Sequence, residues 1–291
     1  MNYVARNDFT KYKKIKPISS LVSVQKETNE VIDIIDSNTE ITQSEKDDYI
    51  LNYNNKNKEQ QKNVEIHEGF LLPYVKKFTR KTGENGERVV FFITGSSGSG
   101  KTYIATKLSI LYRDMNKKNK IIWISPKMDN KDLKIISNAK IKLNTEEAIL
   151  ENFYNEETKI IYDNQFNNSL VIIDDIEGIN IPDKKINTAV HRYIQSIIDT
   201  ILNVGRHNNT SLIYINHKSC NGHETAKILN ECDYIINFPR NTNNQQLNYL
   251  YKTYFGFDNN KIKYIKNSGS RYCAYHNRYP FEVILQHELI L

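Results

Sequence analysis

The stretch VVFFITGSSGSGKT, residues 89–102, decides the fold of this 291-residue chain. Its first half is continuously apolar and rich in β-branched and aromatic residues, which is typical of a strand buried on both faces. Its second half fits the pattern G-x-x-x-x-G-K-[ST] at every fixed position. A strand that runs directly into such a turn, followed by a helix, predicts a cradle for phosphate groups.

The spacing within the glycine-rich turn follows from the chemistry of phosphate binding. Glycines let the backbone curl so that successive N–H groups point inward, and the following helix adds its positive N-terminal end. We expect Lys101 to reach the β- and γ-phosphates and the Thr102 hydroxyl to bind Mg²⁺. The predicted nucleotide-binding residues are Gly95, Ser96, Ser97, Gly98, Ser99, Gly100, Lys101, Thr102 and Tyr103.

Strands and helices alternate along the chain from residue 88 onward. Helical segments are predicted at Thr102–Asn116 and at Thr188–Val204, where Gly205 ends the second one. This alternation predicts an α/β fold with a mostly parallel sheet between layers of helices. The predicted strands are Val89–Thr94, Ile121–Ser125, Leu170–Asp174, Leu212–Asn216 and Tyr234–Phe238.

The segment LVIIDDIE, residues 170–177, brings acidic residues to the end of a buried strand. Neighbouring parallel strands end at one edge of the sheet, so Asp174 is expected near Thr102, where it can hold Mg²⁺. Asp175 lies one residue further and could orient or deprotonate the attacking water, and Glu177 is a rival for that role. An acid at this position favours hydrolysis over phosphoryl transfer to a metabolite.

One further strand separates these two motifs in the sequence. This arrangement matches the P-loop branch of AAA+, RecA-like and translocase ATPases, whose strand order is 5-1-4-3-2. A GTPase should carry N-K-x-D after a later strand, but the corresponding strand here ends in Asn216-His217-Lys218-Ser219, which lacks the aspartate. We therefore expect ATP and not GTP as the nucleotide.

Two basic residues complete the predicted site. His217 follows the strand 212–216 and is expected beside the γ-phosphate, where it could sense whether that phosphate is present. Arg206 follows a helix stop and precedes the same strand, from where it could reach a neighbouring subunit as an arginine finger. Alternatively, His217 is only a hydrogen-bonded strand end and Arg206 only a surface residue.

Four motifs stand in order: ITGSSGSGKT, WISPK (123–127), LVIIDDIE and GRHNNTSLIYINHK (205–218). Together they resemble the FtsK–HerA superfamily, and more narrowly the poxvirus-type DNA-packaging ATPases of large DNA viruses and virophages. The tail SRYCAYHNRYPFEV (270–283) resembles the short strand with a Tyr-Pro pair that closes that family. The resemblance runs from about Phe70 to Leu291.

The resemblance implies a single RecA-like motor domain that assembles into a ring, a hexamer, and pumps double-stranded DNA into a preformed capsid. It implies an ATPase whose partners are duplex DNA, other copies of the chain and a capsid or portal component, in the host cytoplasm at virus assembly sites or in the virion. Lys101, Thr102 and Asp174 would contact phosphate and Mg²⁺. Many superfamily members carry Glu where Asp175 stands and Gln where His217 stands.

Composition and charge set wider bounds. A net charge of +6, 39% hydrophobic residues and three cysteines fit a globular protein of a reducing compartment, with no run apolar enough for a membrane span. Residues 1–68 are predicted to form a polar, acidic and partly flexible arm, with a linker at about Gln43–Asn63. Residues 69–291 are predicted to form the ATPase domain with a C-terminal strand extension.

Several alternatives stay open at this stage. Basic loops around Lys127–Lys134 and Lys184–Arg192 could contact DNA or simply face solvent. Two Cys-x-x-His pairs, at Cys220 and Cys273, could form a zinc site if they met in space. The function could also be that of an AAA+ or helicase-like ATPase in replication or conjugation, or of a non-catalytic nucleotide-dependent DNA-binding scaffold.

Overall fold

The computed structural model describes residues 2–5, 20–25, 30–36, 63–65, 71–73, 88–127, 129–142, 166–220, 223–278 and 281–290. The predicted linker at Gln43–Asn63 lies outside the described residues except for Asn63, and so does the Tyr279–Pro280 pair. The chain forms two compact units, one from residues up to 76 together with those from 251 onward, and one from residues 77–250. The prediction of an arm that ends at residue 68 stays a prediction.

The N-terminal part of the first unit is built from strands. Strand β1 pairs antiparallel with β2 and with β5, and β2 pairs antiparallel with β3, in the order β3-β2-β1-β5. The strands in this part are β1 (Asn2–Ala5), β2 (Ser20–Gln25), β3 (Glu30–Asp36), β4 (Asn63–Glu65) and β5 (Leu71–Pro73).

The second unit contains the predicted parallel sheet. Its strands follow the order β11-β6-β10-β9-β7-β8, and the β6–β11, β6–β10, β9–β10, β7–β9 and β7–β8 pairs are parallel. With β6 counted as the first strand, this is the order 5-1-4-3-2, extended by β8, so the predicted fold is confirmed. The strands are β6 (Val90–Thr94), β7 (Lys120–Ser125), β8 (Ala139–Lys142), β9 (Ser169–Ile173), β10 (Thr210–Asn216) and β11 (Tyr234–Asn237).

Both predicted helices of this unit are present. The second begins at Lys184, four residues before the predicted start, because the Asp183 side chain caps it by accepting hydrogen bonds from the N–H groups of Lys185 and Ile186. The helices are α1 (Lys101–Met115), α2 (Lys131–Ile136), α3 (Lys184–Val204), α4 (His223–Glu231) and α5 (Asn244–Tyr249), after which Leu250–Tyr254 is π-helical.

The core of the second unit lies on both faces of its sheet. Every residue of β6 and β9 is buried, and α3 turns the apolar side Val190, Ile194, Ile198 and Ile201 inward. Burial of each such aliphatic side chain contributes about 1.5–3 kcal/mol, so the continuous apolar runs hold the sheet in place. No helix within the described part of the chain combines the length and apolar character needed to cross a membrane.

The C-terminal part of the first unit continues with one helix and three strands. Strands β12, β13, β14 and β4 form an antiparallel series in that order. Phe255, Phe257 and Tyr275 pack against one another as part of the core of this unit. The elements are α6 (Asn259–Asn267), β12 (Cys273–His276), β13 (Glu282–Leu285) and β14 (Glu288–Ile290).

Candidate functional site

The predicted site residues gather at the carboxyl ends of three adjacent strands. Register pairs Thr94 of β6 with Asn216 of β10, and Ile173 of β9 with Tyr214 of β10, so the residues that follow these strands meet at one edge. They surround a cavity of about 450 Å³. The predicted residues that line it are Ser97, Gly98, Gly100, Lys101, Thr102, Tyr103, Asp174, Asp175 and His217.

The glycine-rich turn adopts a backbone that its glycines make possible. Gly98 has φ 73° and Gly100 has φ 111°, in the left-handed region where a side chain is costly. Gly100 is the residue before α1, and the first turn of that helix contains neither a capping side chain nor an acidic residue. The first N–H groups of α1 and its positive end are therefore available to an anion.

Lys101 is held at the base of the turn. Its Nζ donates to the carbonyl oxygens of Gly95 at 2.7 Å and Ser96 at 2.9 Å, and lies 3.3 Å from Nδ1 of His217. Burial lowers the pKa of Lys101 below its usual value, and the nearby carboxylates of Asp174 and Asp175 oppose that shift. The ammonium is thus partly desolvated and surrounded by acceptors that a phosphate could replace.

His217 links Lys101 to Asp175. Its Nε2 lies 3.0 Å from Oδ1 of Asp175, on the opposite side of the ring from the contact with Lys101. A protonated lysine can only donate, so Nδ1 must carry the lone pair and the ring proton must sit on Nε2, which donates to the aspartate. The geometry therefore places the His217 ring between a donor at Nδ1 and an acceptor at Nε2.

Asp174 follows β9 directly, and its N–H donates to the carbonyl oxygen of Ile124 at 3.0 Å. Burial, with the negative charge of Asp175 beside it, raises the pKa of Asp174 to about 6. The Thr102 hydroxyl and the Asp174 carboxylate line the same cavity, and hard oxygen donors of this kind suit Mg²⁺ together with phosphate oxygens and water. The donor set fits the predicted metal.

The structure separates the two candidates for the general base. Asp175 lines the cavity, and its backbone lies in the left-handed region at φ 57° where the strand turns into the short 3-10 helix Ile176–Gly178. Glu177 lies within that helix, is exposed and is not among the lining residues. The arrangement favours Asp175.

Arg206 does not reach the cavity of its own chain. It is exposed in the turn between α3 and β10, before the first residue of that strand, whereas His217 follows the last residue. A seven-residue strand is roughly 20 Å long, so Arg206 and the cavity lie at opposite edges of the sheet.

Five further residues line the cavity, all from β7 and the segment after it. The rule that placed Asp174 at the sheet edge would have found them, because β7 is parallel to β9 and ends at the same edge. Among the described residues, the Trp123 indole Nε1 is a buried polar atom without a hydrogen-bond partner. The residues that the sequence interpretation missed are Trp123, Ser125, Lys127, Asp129 and Asn130.

A zinc site is not found in the part of the chain that the structure describes. No group of three or more His, Cys, Asp or Glu residues there could hold a metal ion, and no disulfide joins Cys220, Cys232 or Cys273 to another of these residues. The side chain of His223 lies outside the described residues.

Comparison with known proteins finds a similar virophage protein. No protein-family model matches the chain. A protein of the Sputnik virophage, named uncharacterized protein V3, is 26% identical over 224 residues, which cover 76% of this chain and 81% of that protein.

The chain is also similar to solved structures. B204, the DNA-packaging ATPase from Sulfolobus Turreted Icosahedral Virus, is 16% identical with a TM-score of 0.44, over 67% of this chain and 96% of that one. The genome packaging NTPase B204 from Sulfolobus turreted icosahedral virus 2 in complex with AMP is 13% identical with a TM-score of 0.46, over 68% and 96%. The pCW3 conjugation coupling protein TcpA is 13% identical with a TM-score of 0.38, over 75% and 68%.

The chain has the strand order expected of a RecA-like P-loop NTPase, and it is similar in sequence to a virophage protein.

Proposed function

We propose that the chain is an ATPase that uses ATP hydrolysis to translocate double-stranded DNA, and that it packages a viral genome into capsids. The observation that carries this proposal is the convergence of Lys101, Thr102, Asp174, Asp175 and His217 on one cavity at the carboxyl edge of the sheet. Each is a residue type that phosphoryl-transfer chemistry uses at that position.

Nucleotide binding would replace hydrogen bonds within the glycine-rich turn by hydrogen bonds to phosphate oxygens. The β- and γ-phosphates would accept from the N–H groups at the start of α1 and draw Lys101 Nζ away from the carbonyl oxygens of Gly95 and Ser96. Thr102 and Asp174 would hold Mg²⁺, which neutralises charge on the phosphate oxygens. The cost of burying Asp174 near Asp175 is offset when a cation is bound.

Hydrolysis would proceed by in-line attack of water on the γ-phosphorus. Asp175 orients that water and accepts its proton, the new bond forms between the water oxygen and phosphorus, and the bond to the β–γ bridging oxygen breaks, which leaves ADP and phosphate. His217 contacts both Lys101 and Asp175, so a change in the lysine's partner alters the hydrogen bonding of the proposed base. Through these two contacts, His217 would transmit to Asp175 whether a γ-phosphate is bound beside Lys101.

Coupling to DNA is the second part of the proposal. The GRHNNTS segment, with Arg206 exposed before β10, supports a ring of this chain, and such a ring would grip duplex phosphates without reading sequence. The ring would act with a capsid or portal component in the host cytoplasm, where virions assemble.

Phosphate release by the purified protein tests the proposal. We expect Mg²⁺-dependent turnover of ATP that duplex DNA stimulates, and a loss of at least about 100-fold in Lys101→Ala, because that variant lacks the cation at the phosphates. Lys118→Ala, an exposed lysine after the far end of α1, is the matched control and should behave as the wild type.

Two results would count against the proposal, each against a different part. Wild-type protein that binds ATP but releases no phosphate under any condition would indicate a nucleotide-dependent scaffold. Turnover that single strands stimulate and that is accompanied by strand separation would indicate a helicase, because a packaging motor should move duplex DNA without unwinding it.

A further inference from the structure

Lys127 makes a contact that the proposed mechanism does not use. Its Nζ lies 3.3 Å from Oδ2 of Asp175, and its side chain also lines the nucleotide cavity. The Lys127 side chain is 70% exposed and that of Asp175 is 22% exposed. The lysine therefore extends from solvent into the mouth of the cavity.

The backbone of Lys127 is fixed although its side chain is exposed. The Ser125 hydroxyl donates to the carbonyl oxygen of Lys127 at 2.6 Å and accepts from its N–H at 3.2 Å. Pro126 between them restricts the backbone further, because its ring fixes φ. Ser125 is itself the last residue of β7 and is buried, so the sheet determines where the lysine side chain starts.

Asp175 thus has a basic partner on each carboxylate oxygen. His217 Nε2 contacts Oδ1 at 3.0 Å from the end of β10, and Lys127 Nζ contacts Oδ2 at 3.3 Å from the end of β7. A carboxylate oxygen has two lone pairs, so each oxygen retains one with which to accept a hydrogen bond from water. The two contacts define the orientation of the carboxylate without blocking it.

We propose that Lys127 is a positioning residue for Asp175: with His217 it holds the carboxylate in the orientation from which it activates water. This inference rests on the proposed ATPase function and deepens it. An exposed ion pair contributes little to folding stability. The effect of the contact is therefore to orient the Asp175 carboxylate and to place a positive charge beside it. The pair joins residues 48 positions apart in the chain from the two strands that flank the cavity.

The test compares two substitutions that differ in charge. Lys127→Met keeps the length of the side chain and removes the ammonium, and Lys127→Arg keeps a positive charge. We expect Lys127→Met to lower the turnover number at saturating ATP by at least 10-fold with the dissociation constant for ADP, measured by calorimetry, within twofold of the wild type. Lys127→Arg should recover most of the turnover, and the exposed control Lys118→Met should match the wild type.

A double-mutant cycle shows whether the lysine acts through the aspartate. Asp175→Asn leaves a side chain of the same shape that cannot act as a base, so adding Lys127→Met to it should lower single-turnover hydrolysis by less than twofold. Melting followed by circular dichroism should give the same midpoint for Lys127→Met and wild type, because the ion pair is exposed.

Three outcomes would overturn the inference alone. Wild-type turnover in Lys127→Met would mean that the lysine is only a surface residue. A loss of ADP affinity, or an equal loss of turnover in the Asp175→Asn background, would mean that it acts on the nucleotide directly. These three outcomes leave the proposed ATPase function intact. Absence of hydrolysis by the wild-type protein would instead overturn the proposed function and this inference with it.

Discussion

At the scale of single residues, the cavity holds opposite charges in a partly desolvated space. Burial lowers the pKa of Lys101 and raises that of Asp174 to about 6, so both groups are moved toward their neutral forms. Each would regain its full charge when its ligand arrives, a phosphate for the lysine and a cation for the aspartate. Burial of these two groups therefore lowers the stability of the fold at neutral pH, because it disfavours their charged forms.

Asp174→Asn should make the nucleotide-free protein more stable at neutral pH. The folded-state pKa of about 6 lies above the unfolded value of 3.8, so the folded protein binds more protons between these values and loses stability as pH rises through them. Asparagine removes that penalty. We expect a gain on the order of 1–3 kcal/mol above pH 6, which shrinks to nothing near pH 4. Urea unfolding at several pH values measures it.

The same variant gives an internal check. Asp174→Asn should lose Mg²⁺-dependent hydrolysis while it gains stability. The same carboxylate would bind Mg²⁺ and, without a cation, destabilises the fold through its buried charge. A gain in stability that is equal at pH 4 and pH 8 would show that the carboxylate charge is not its source. Asp132→Asn, at an exposed residue of α2, should show no comparable pH-dependent gain.

At the scale of elements, the turn between α3 and β10 is tightly closed. The Gly205 N–H donates to the carbonyl oxygen of Ile201, and the Gly205 carbonyl oxygen accepts from the N–H of Thr210, both at 2.9 Å. A β-carbon at Gly205 would lie 2.4 Å from the oxygen of Ile201 and 2.9 Å from that of Thr210. Glycine is needed here because there is no space for a β-carbon. Its φ of −57° is one that any residue can adopt.

Gly205→Ala should destabilise the fold by about 1–3 kcal/mol, because backbone atoms must move to admit the methyl group. Urea or thermal unfolding measures the loss. Asn203→Ala, two residues earlier and exposed on the last turn of α3, should change stability by less than about 0.5 kcal/mol. Equal stability of the two variants would contradict the close packing of this turn.

The five central strands could be predicted because burial on both faces leaves a continuous apolar signal. The start of α3 could not be found in the same way, since its first turn is polar except for Ile186 and the cap at Asp183 is the main indication of it. Asp174, Asp175 and His217 could be predicted to meet because parallel strands end together. Lys127 was considered only within a basic loop that could contact DNA, and its pairing with Asp175 was missed because the shared edge of parallel strands was not applied to the end of β7.

At the scale of the whole molecule, the two ends of β10 carry different chemistry. His217 contacts the nucleotide cavity, whereas Arg206 is exposed at the start of the strand, roughly 20 Å away. If Arg206 stabilises charge on a γ-phosphate, that phosphate must belong to another copy of the chain. A complete active site would then require assembly.

Mixing Arg206→Ala protein with Lys101→Ala protein tests this requirement. In a ring where each arginine completes the neighbouring site, an Arg206→Ala subunit has an intact cavity that a Lys101→Ala neighbour can complete, so the mixture should recover part of the activity that each variant alone lacks. Light scattering gives the number of subunits, and phosphate release gives the activity of each mixture. Mixtures that stay as inactive as the separate variants would contradict a role between subunits.

The backbone at Asp175, with φ 57° and ψ 32°, restricts which amino acids can stand at the proposed base. Glycine, asparagine and aspartate adopt this left-handed backbone conformation most readily. Asparagine and aspartate do so because a short polar side chain hydrogen-bonds to the nearby main chain. Only aspartate among them bears a negative charge. A glutamate side chain would reach further, but its backbone would be strained at this φ and its side chain would not form that hydrogen bond to the nearby main chain. The backbone conformation therefore accounts for the shorter acid in this chain.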